Sequence, residues 1–336
     1  MSDVAVIVLT YNSVSKLGEF FKKAVFSLFN QSYKNYRVIF VDNGSRDETL
    51  NYLKQAQRET NVPIKILSLR KNYGWSYSNN IGALVAKDAD YFFFINDDVI
   101  LARHVLERLI KFMEENRDVG AAQPIIINKD DSRFYGFDIG LGGLSAPVLK
   151  PRGHPFSEAF FASGAALITP ARVFFEVGMF PSDYFLYYDD VDYSWRIRLL
   201  GYRVGCVTTT WVYHHGSATF GHKSPVFLYY NTRNMLLSLF KNVPRKLLFQ
   251  TLALSILEAS IAYVLHEILI EHNFINTIAA LKGLRAGILQ GIRNLYCRRC
   301  RLSKKRLSKN LVVFNPRVDI DALIPRTLRE IVFLRY

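Results

Sequence analysis

Neighbouring acidic residues at one point of the chain have the type and spacing of a metal site. Asn96, Asp97 and Asp98 directly follow an apolar run from Tyr91 to Ile95. Adjacent carboxylates beside a buried strand are costly unless they are solvated or neutralised. Carboxylate oxygens suit Mg²⁺ or Mn²⁺, which usually coordinate substrate phosphates as well. The cluster therefore predicts a divalent metal site, and the structural alternative is that Asp97 or Asp98 caps the following helix.

A second acidic group lies further along, where Asp189, Asp190 and Asp192 fall within four residues. Mutual repulsion between such carboxylates raises their pKa values. A carboxylate tuned in this way can take a proton from a substrate hydroxyl as a general base. The structural alternative is a solvated helix start, in which Asp189 is the cap and Asp192 pairs with Arg196 four residues later.

Two histidines, His214 and His215, follow a strand-like run from Val207 to Tyr213. A histidine by itself is usually structural. Neutral imidazole is also a common metal ligand, so one at this place could complete a metal site.

The elements that must position these groups alternate between apolar runs and helical patterns. Strands are predicted at Val4–Leu9, Arg37–Val41, Ile64–Leu67 and Tyr91–Ile95, and helices at Val14–Asn30, Asp47–Thr60, Trp75–Ala86 and Leu101–Asn116. Continuous apolar strands separated by helices predict an α/β fold with a mostly parallel sheet covered on both faces. Ligands of such sheets bind beyond the carboxyl ends of the strands. Polar groups follow every predicted strand, at Thr10-Tyr11-Asn12, Asp42-Asn43-Gly44-Ser45, Arg70-Lys71-Asn72 and Asn96-Asp97-Asp98.

The remaining chain divides into three kinds of segment. Asn128 to Ser157 is rich in Gly, Pro and Asp and predicts a loop region for the acceptor, and Tyr188 to Gly201 predicts a helix. From Lys241 to Lys309 there are 13 Lys or Arg and only three acidic residues. The composition therefore becomes strongly basic near residue 242.

The basic region carries amphipathic patterns. Leu247 to Ile270 is long enough to span a bilayer, but Thr251, Ser255, Glu258, Ala262 and His266 form one stripe, which favours an amphipathic helix with a wide apolar face. A second apolar stripe runs through Leu281, Leu284, Ile288, Ile292 and Leu295, followed by the basic run Arg298 to Lys309. Together these predict an anchor on the anionic, cytosolic face of a membrane. The alternative is an ordinary helical subdomain with a solvated basic face.

The net charge and the cysteines limit the possible binding partners and the cellular compartment. The formal net charge of +14 indicates an anionic partner, whether nucleic acid, acidic lipid or a phosphorylated substrate. Three cysteines, Cys206, Cys297 and Cys300, form no disulfide framework, and the single pair Cys297/Cys300 is weak evidence for zinc. The chain begins Met1-Ser2-Asp3 and passes directly into a strand, which predicts no signal peptide and a cytoplasmic protein.

The ordered set of these motifs resembles family 2 glycosyltransferases of the rhamnosyltransferase-like branch. The set consists of Val8 to Asn12, Val41 to Thr49, Asn72 to Gly82, Asn96 to Val99, Ser163 to Ala166, Gly178 to Phe180, Phe185 to Arg196, Gly201 to Val204, His214 to Thr219, and Arg233-Asn234. The likeness covers about residues 4 to 242. Two positions depart from the family pattern: Asp189 stands where Glu is usual, and Pro181 stands where Asp is frequent.

The resemblance implies a GT-A fold and an inverting, metal-dependent transfer from a nucleoside diphosphate sugar. It implies that the nucleotide is bound or supported by Thr10, Tyr11, Asn12, Asp42, Asn43, Asn72, Gly74, Asn80 and Asp97. It makes Asp98 the main ligand of Mn²⁺ or Mg²⁺, with Asp97 assisting and His214 as a further ligand. Asp190 corresponds to the general base, and the shortened Asp189 leaves Asp189 as the other candidate.

From these observations we expect residues 1–242 to form the transferase domain, with a nucleotide-sugar half at 1–127 and an acceptor half at 128–242. Residues 243–336 are expected to form the basic helical extension. The donor would be UDP- or dTDP-linked, carrying rhamnose, glucose or a related hexose, and the acceptor a glycan or lipid-linked saccharide. Two alternatives stay open: a nucleotidyltransferase of sugar metabolism, and a non-catalytic basic protein that binds lipid or nucleic acid. The first lacks the expected Gly-rich phosphate loop after Val4–Leu9, and the second does not explain the carboxylates at strand ends, so we expect no nucleic acid partner.

Overall fold

The computed structural model describes residues 1–216 and 224–297 of the 336-residue chain. The basic run Arg298 to Lys309, the Cys300 end of the cysteine pair and the Ser217 to Thr219 part of the histidine motif lie outside the described residues. Within the described residues, contacts divide the chain into two compact units. Residues 1–137 and 148–216 form the sheet unit, and residues 138–147 and 224–297 form the helical unit.

The sheet unit is built on one mixed sheet whose first four long strands are parallel. The strands of this sheet are β1 (Val4–Thr10), β2 (Tyr36–Asp42), β3 (Ile64–Ser68), β4 (Tyr91–Asn96), β5 (Val99–Leu101), β6 (Val119–Asn128), β7 (Arg133–Phe134), β10 (Phe156–Glu158), β11 (Ala166–Pro170) and β12 (Arg203–His214). Two further strands, β8 (Phe137–Ile139) and β9 (Ser145–Pro147), form a separate pair, all of which except Phe137 belongs to the helical unit. The order across the main sheet is β10-β12-β6-β11-β4-β1-β2-β3. Strand β11 runs antiparallel to β4 and begins the part that the alternating pattern did not predict.

Helices cover both faces of this sheet, as the continuous apolar strands predicted. They are α1 (Ser13–Leu17), α2 (Glu19–Phe29), α3 (Thr49–Arg58), α4 (Trp75–Val85), α5 (Val105–Glu115), α6 (Ala171–Glu176) and α7 (Asp189–Leu199). One apolar core packs α2, α3 and α5 against the sheet. A second core on the other face packs α4, α6 and α7 against it. Alternate residues of β4 feed the two cores, with Phe93 in the first and Phe92 and Phe94 in the second.

Three predicted elements differ in their bounds. The helix expected from Val14 to Asn30 is interrupted at Gly18, whose φ of 52° lies in the left-handed region where glycine has no steric penalty. The helix expected from Leu101 begins at Val105, because residues 99–101 pair with the end of β12 instead. The predicted loop region from Asn128 to Ser157 contains short strands, since its polar, Gly-rich sequence gives little periodicity to reveal them.

The helical unit consists of α8 (Pro225–Asn242), α9 (Arg245–Ala259), a π-helical turn (Ser260–Leu265), α10 (His266–Leu269) and α11 (Phe274–Cys297), together with residues 138–147. Helices α8 and α11 approach closely because three glycines spaced four residues apart, Gly283, Gly287 and Gly291, face α8. A Cβ at Gly283 would come within 2.1 Å of Thr232 Oγ1, and one at Gly291 within 2.1 Å of the Phe240 ring. Small residues at this spacing let two helix backbones pack closely.

The polar stripe predicted on residues 247–270 lies inside the helical unit. Thr251, Ser255 and His266 are buried, whereas Phe249 and Leu257 on the same segment are exposed. The amphipathic pattern is therefore present, with its polar side packed against protein. The boundary between the two compact units falls before α8, and the functional boundary at residue 242 stays a prediction.

Candidate active site

The residues predicted to bind the nucleoside lie where β1 and β2 end side by side. Thr10 and Asp42 are register partners at the carboxyl ends of these parallel strands, and both are buried. Thr10 Oγ1 donates to Asp42 Oδ1 at 3.3 Å, and Ser45 donates to both Asp42 oxygens, through Oγ at 2.5 Å and through its backbone N–H at 3.2 Å. Buried and surrounded by donors, the Asp42 carboxylate is arranged as a fixed acceptor.

Asn12 and Tyr11 complete this end of the site. Asn12 adopts a left-handed conformation with φ of 52°, and it ties the loop after β1 to the loop after β2: its N–H donates to Ser45 Oγ at 2.8 Å and its Oδ1 accepts from the Arg46 N–H at 2.8 Å. Tyr11 is partly exposed and is covered by Lys16, whose Nζ lies 4.3 Å from the ring centroid and donates to the Tyr11 carbonyl at 3.0 Å.

Three of the predicted nucleotide-binding residues hold loops in place. The Asn43 amide donates to Asn72 Oδ1 at 2.9 Å, and its oxygen accepts from the Tyr73 N–H at 2.9 Å. Gly74 has φ of 87°, and a Cβ there would come within 2.4 Å of the Phe185 carbonyl oxygen, so only glycine fits. Asn43, Asn72 and Gly74 therefore support one another around the turn that precedes α4.

Asn80 is buried and bonds to the loop before α7. Its Nδ2 donates to the Phe180 carbonyl at 2.9 Å, and its Oδ1 accepts from the Phe180 N–H at 3.1 Å. Both polar ends of this amide are used by one backbone residue, so Asn80 fixes this loop against α4.

The metal candidates lie just past β4. Pairing of β5 with β12 places Val99 opposite His214, and the His215 N–H donates to the Asp98 carbonyl at 2.9 Å. This brings His214 Nε2 to 3.3 Å from Asp98 Oδ1, although the two residues are far apart in the chain. Burial favours the protonated acid, but the His214 imidazole, together with the Asp98 backbone and His215, outweighs burial and holds the pKa of Asp98 below its usual range.

The donor set at Asp98 and His214 fits a divalent ion. Asp98 is only 5% exposed, and its Oδ1 accepts no hydrogen bond from the residues the structure describes. Two ligands at right angles, with bonds of about 2.1 Å, lie about 3 Å apart, close to the observed separation. Among residues 1–216 and 224–297 no group of three His, Cys, Asp or Glu side chains could hold a metal. The remaining ligands would come from substrate phosphate and water, as is usual for Mg²⁺.

The neighbours of the Asp97 carboxylate differ from those of Asp98. Its Oδ2 accepts a hydrogen bond from the Ser13 hydroxyl, and the Lys16 ammonium also lies near. Burial raises the pKa of Asp97, and the adjacent Asp98 adds to the rise, whereas Ser13 and Lys16 oppose it. Asp97 thus sits between the strand-end loops and does not join Asp98 and His214 in a three-residue cluster of described residues.

The two acidic candidates for the base have different surroundings at the start of α7. Asp190 is partly exposed; its Oδ2 accepts from the Gly164 N–H at 2.9 Å and its Oδ1 from the Val191 N–H at 2.9 Å. Burial raises the pKa of Asp190, and these amides oppose the rise. Asp189 is 4% exposed and is bonded to the Ser76 hydroxyl, and burial raises its pKa well above the usual value. The geometry makes Asp190 available to a substrate and Asp189 a link between α7 and α4.

The predicted structural pair in this helix is confirmed. Arg196 Nε lies 2.7 Å from Asp192 Oδ1, four residues earlier, and Arg196 Nη2 donates to the Met179 carbonyl at 2.7 Å. Asp192 is therefore occupied in packing α7 against the preceding loop.

Several residues of the site were missed at the sequence level. They are Ser13 and Lys16 beside Asp97, Ser76 beside Asp189, and Trp75, whose Nε1 donates to Asn96 Oδ1 at 3.0 Å. Small hydroxyl residues give no pattern on their own. The one available signal was the polar, lysine-containing sequence directly after β1.

Comparison with known proteins identifies a matching family and several relatives of the chain. The family described as Glycosyl transferase family 2 matches residues 5–175. An "Uncharacterized glycosyltransferase" of Haemophilus influenzae is 32% identical over 130 residues, and the match spans 38% of this chain and only 38% of that protein's length. The N-acetylglucosaminyl-diphospho-decaprenol L-rhamnosyltransferase of Mycobacterium tuberculosis is 26% identical across 66% of this chain and 79% of its own length.

A solved structure shows the same fold. The crystal structure of GalNAc-T7 with UDP, GalNAc and Mn²⁺ superposes with a TM-score of 0.63 at 15% identity, covering 88% of this chain and 58% of that one. The expected GT-A architecture is thereby confirmed.

Proposed function

This chain belongs to glycosyltransferase family 2, and we propose that it moves a hexose, with inversion, from a UDP- or dTDP-linked donor to a glycan or lipid-linked saccharide. Rhamnose is favoured over glucose or a related hexose, because an N-acetylglucosaminyl-diphospho-decaprenol L-rhamnosyltransferase matches 66% of the chain. Family membership decides against the nucleotidyltransferase and against the non-catalytic binding protein. Residues 1–127 would bind the donor and residues 128–242 the acceptor.

The pairing of Asp98 with His214 carries the proposal. A buried carboxylate oxygen of Asp98 lies 3.3 Å from His214 Nε2, at the edge of the sheet where β1, β2 and β4 all end. A carboxylate and an imidazole nitrogen so close to each other require either a proton on the imidazole or a cation between them. Mn²⁺ or Mg²⁺ is the cation that fits a site completed by a diphosphate.

Different residues would bind the metal ion, the nucleoside and the phosphates. Asp98 and His214 would hold the divalent ion, which when bound neutralises charge that develops on the leaving diphosphate. Thr10 and Asp42 would bind the nucleoside, and the Lys16 ammonium beside Asp97 adds positive charge near the phosphates. The nucleoside and metal ends of the site thus both lie at the carboxyl edge of the parallel strands.

Asp190 would remove the proton from the acceptor hydroxyl as that oxygen attacks the anomeric carbon. The Gly164 and Val191 amides orient its carboxylate, and its partial exposure leaves room for a sugar hydroxyl. Attack opposite the diphosphate in a single displacement gives inversion. Asp189, buried against Ser76, would hold the start of α7 in place.

Thermal stabilisation by a panel of nucleotide-sugars, with and without Mn²⁺, tests this function directly. A ligand that binds only the folded state raises its stability, by about 2.7 kcal/mol at a hundred times its Kd. We expect stabilisation by UDP- or dTDP-hexoses that depends on Mn²⁺, and its loss in Asp98→Ala. The exposed Asp130→Ala is the matched control and should behave as wild type. Silence across the panel would contradict the proposal.

The helical unit supports a second part of the proposal, attachment to the cytosolic face of a membrane. The segment Arg245–Leu269 is long and apolar enough to cross a bilayer, and only 28% of its most apolar stretch is buried. We use the name lipid-facing surface for the exposed apolar residues of α9 to α11, namely Phe249, Ile256, Leu257, Leu265, Leu269, Ile270, Phe274, Ile275, Ile278, Leu281, Leu289 and Ile292.

The interior of the same unit is unusually polar. Asn231, Asn234, Ser255 and Asn276 are buried, and Asn231 Nδ2 donates to the Tyr263 hydroxyl at 2.8 Å. Polar groups that bond inside a bundle while apolar groups face outward are typical of helices in lipid, where every polar group must find a protein partner. Lys282, Arg285 and Arg293 on α11 would favour anionic lipid.

A further inference from the structure

A groove on the sheet unit lies apart from the candidate active site. It has a volume of about 540 Å³ and lies between α2, α3 and β5, where its apolar walls are formed by Phe26, Tyr52, Ile100 and Leu101. Among the described residues, its lining includes none of those predicted to bind metal or nucleotide or to act as the base. Sites for small ligands have volumes of about 300–1,000 Å³, so the groove is large enough for a ligand of its own.

Three cationic side chains line the groove, namely Lys22 and Lys23 on α2 and Arg103 shortly after β5. Lys22 Nζ lies 2.5 Å from Glu19 Oε1, in an exposed ion pair of the kind that contributes little. Within the part of the chain that the structure describes, the side chains of Lys23 and Arg103 form no hydrogen bond or ion pair, and no carboxylate lines the groove. The complement of this surface is therefore an anion.

Phe26 adds an apolar side chain to this cationic surface. Lys22 and Lys23 precede it by four and three residues, so the three side chains are neighbours on one surface of α2. Phe26 is 67% exposed, although aromatic rings bury well in an ordinary core. An exposed ring beside lysines is typical of helices that bind a membrane surface, where the ring contacts acyl chains and the ammonium groups contact lipid phosphate.

The walls of the groove are held in place before any ligand binds. The buried Ser27 ties α2 to β5, because its Oγ accepts from the Leu101 N–H at 3.0 Å and donates to the Ala24 carbonyl at 2.6 Å. The Tyr52 ring of α3 packs against Phe21 of α2, with 5.6 Å between the ring centroids. A ligand would thus bind a surface that is already ordered, which lowers the entropic cost of binding.

We propose that this groove binds one anionic phospholipid. Lys23 and Arg103 hold the phosphate, and the first part of the acyl chains lies against Phe26. A small phosphate compound would use the cations but leave Phe26 in water, and a neutral apolar ligand would leave the cations unpaired. An anion with an apolar body uses both. The site belongs to the sheet unit, whereas the lipid-facing surface belongs to the helical unit, and it does not depend on the proposed transferase activity.

The test uses the full chain with a local probe, so that binding in the groove is measured separately from binding elsewhere. 4-Fluorophenylalanine replaces Phe26, and its fluorine NMR signal is followed during titration with dihexanoyl phosphatidylglycerol, kept monomeric and free of detergent. We expect a saturable shift of this signal. Dihexanoyl phosphatidylcholine, which has no net charge, and glycerol 3-phosphate, which has no acyl chain, should each bind at least about fivefold more weakly, the effect of about one lost charge contact or more.

Neutral variants test the two cations directly. Lys23→Gln combined with Arg103→Gln should raise the Kd for phosphatidylglycerol by about fivefold for each charge removed. Lys54→Gln combined with Lys111→Gln is the matched control, because it removes the same charge from exposed lysines of α3 and α5 that do not line the groove. This control should leave the Kd within about twofold of wild type, since exposed charges further than about 10 Å away are screened by salt.

Each of four results would overturn the inference. Equal Kd values for glycerol 3-phosphate and phosphatidylglycerol would mean a simple anion site, and equal values for phosphatidylcholine and phosphatidylglycerol would mean an apolar surface without charge selection. An equal loss of binding in the control pair would mean a general charge effect. The absence of any saturable shift would mean that no lipid occupies the groove. A chain without transferase activity would leave these outcomes unchanged, because none of the titrations contains a nucleotide-sugar.

Discussion

The sheet unit and the helical unit differ in how many of their large apolar side chains are exposed. In the sheet unit the fully buried residues of β4 are apolar, and buried polar groups such as Thr10, Asp42 and Asp98 gather where strands end. In the helical unit asparagines are buried, while leucine, isoleucine and phenylalanine cover the outside of α9 to α11. Since burial of apolar surface is driven by water, the exposed apolar residues of the helical unit support the proposal that this unit contacts lipid.

The largest effect on folding is expected when an aspartate is introduced into the core of the sheet unit and, for comparison, on the exposed surface of the helical unit. Phe93→Asp puts an unpaired carboxylate into the core of the sheet unit, and this should leave no folded protein, because such burial costs several kcal/mol. Phe249→Asp changes a side chain that is 84% exposed. In detergent its melting temperature, followed by circular dichroism, should stay within about 2 °C of wild type, as for surface changes in general. Equal loss of folding in both variants would contradict the comparison.

Binding to vesicles should depend on the lipid-facing surface. Leu257→Asp combined with Leu269→Asp removes two exposed leucines, each worth about 1.5–3 kcal/mol when buried in an apolar phase. Flotation with phosphatidylglycerol-containing vesicles should fall by about tenfold or more. The control Leu200→Asp, at an exposed leucine of the sheet unit, should float as wild type does. If Leu200→Asp lost binding equally, or if neither variant did, the lipid assignment would fail.

The sequence predicted the parallel half of the sheet because its strands are continuous apolar runs with one helix after each. It could not predict β5, because the three residues of this strand pair with β12, which lies far later in the sequence. That pairing is what sets His214 against Asp98. The ordered motifs suggested both residues, but only tertiary structure could show that they meet, and that Asp97 turns instead to Ser13.

In the helical unit the sequence revealed the pattern of the helices but not which of their faces is buried. Periodicity on residues 247–270 revealed two faces, but not which one would be buried, because a 3.6-residue pattern looks the same whether the solvent is water or lipid. The three glycines of α11 were informative in retrospect, since Gly283, Gly287 and Gly291 recur every fourth residue and face α8.

The pH dependence of transfer should report Asp190. Burial raises its pKa, and a base must be ionised to accept a proton, so kcat should fall with decreasing pH along a limb that lies above the ordinary aspartate value of 3.8. Asp189→Asn should leave that limb in place, because Asp189 is buried against the Ser76 hydroxyl and does not reach the acceptor. A pH–rate profile in which the limb shifts or disappears in Asp189→Asn would assign the base to Asp189.

A smaller effect concerns stability. The pKa of Asp189 is raised in the folded protein, so the folded state binds the proton more tightly than the unfolded state does. Its contribution to stability is then fully present below the unfolded-state pKa and is lost as pH rises through the folded-state pKa. Asp189→Asn removes this dependence. Urea titrations at pH 5 and pH 8 should show a smaller decrease in the free energy of unfolding in the variant than in wild type; an equal decrease would mean that Asp189 is ionised in the fold.

The most direct test of the account compares donor binding with turnover in Asp190→Asn. Calorimetry with Mn²⁺ should give a Kd for the nucleotide-sugar within about threefold of wild type, because the nucleotide and metal residues are untouched. Transfer to acceptor should fall by about a hundredfold or more, the usual contribution of a general base. Turnover within tenfold of wild type, with donor binding intact, would contradict the assignment of Asp190 and with it the proposed mechanism.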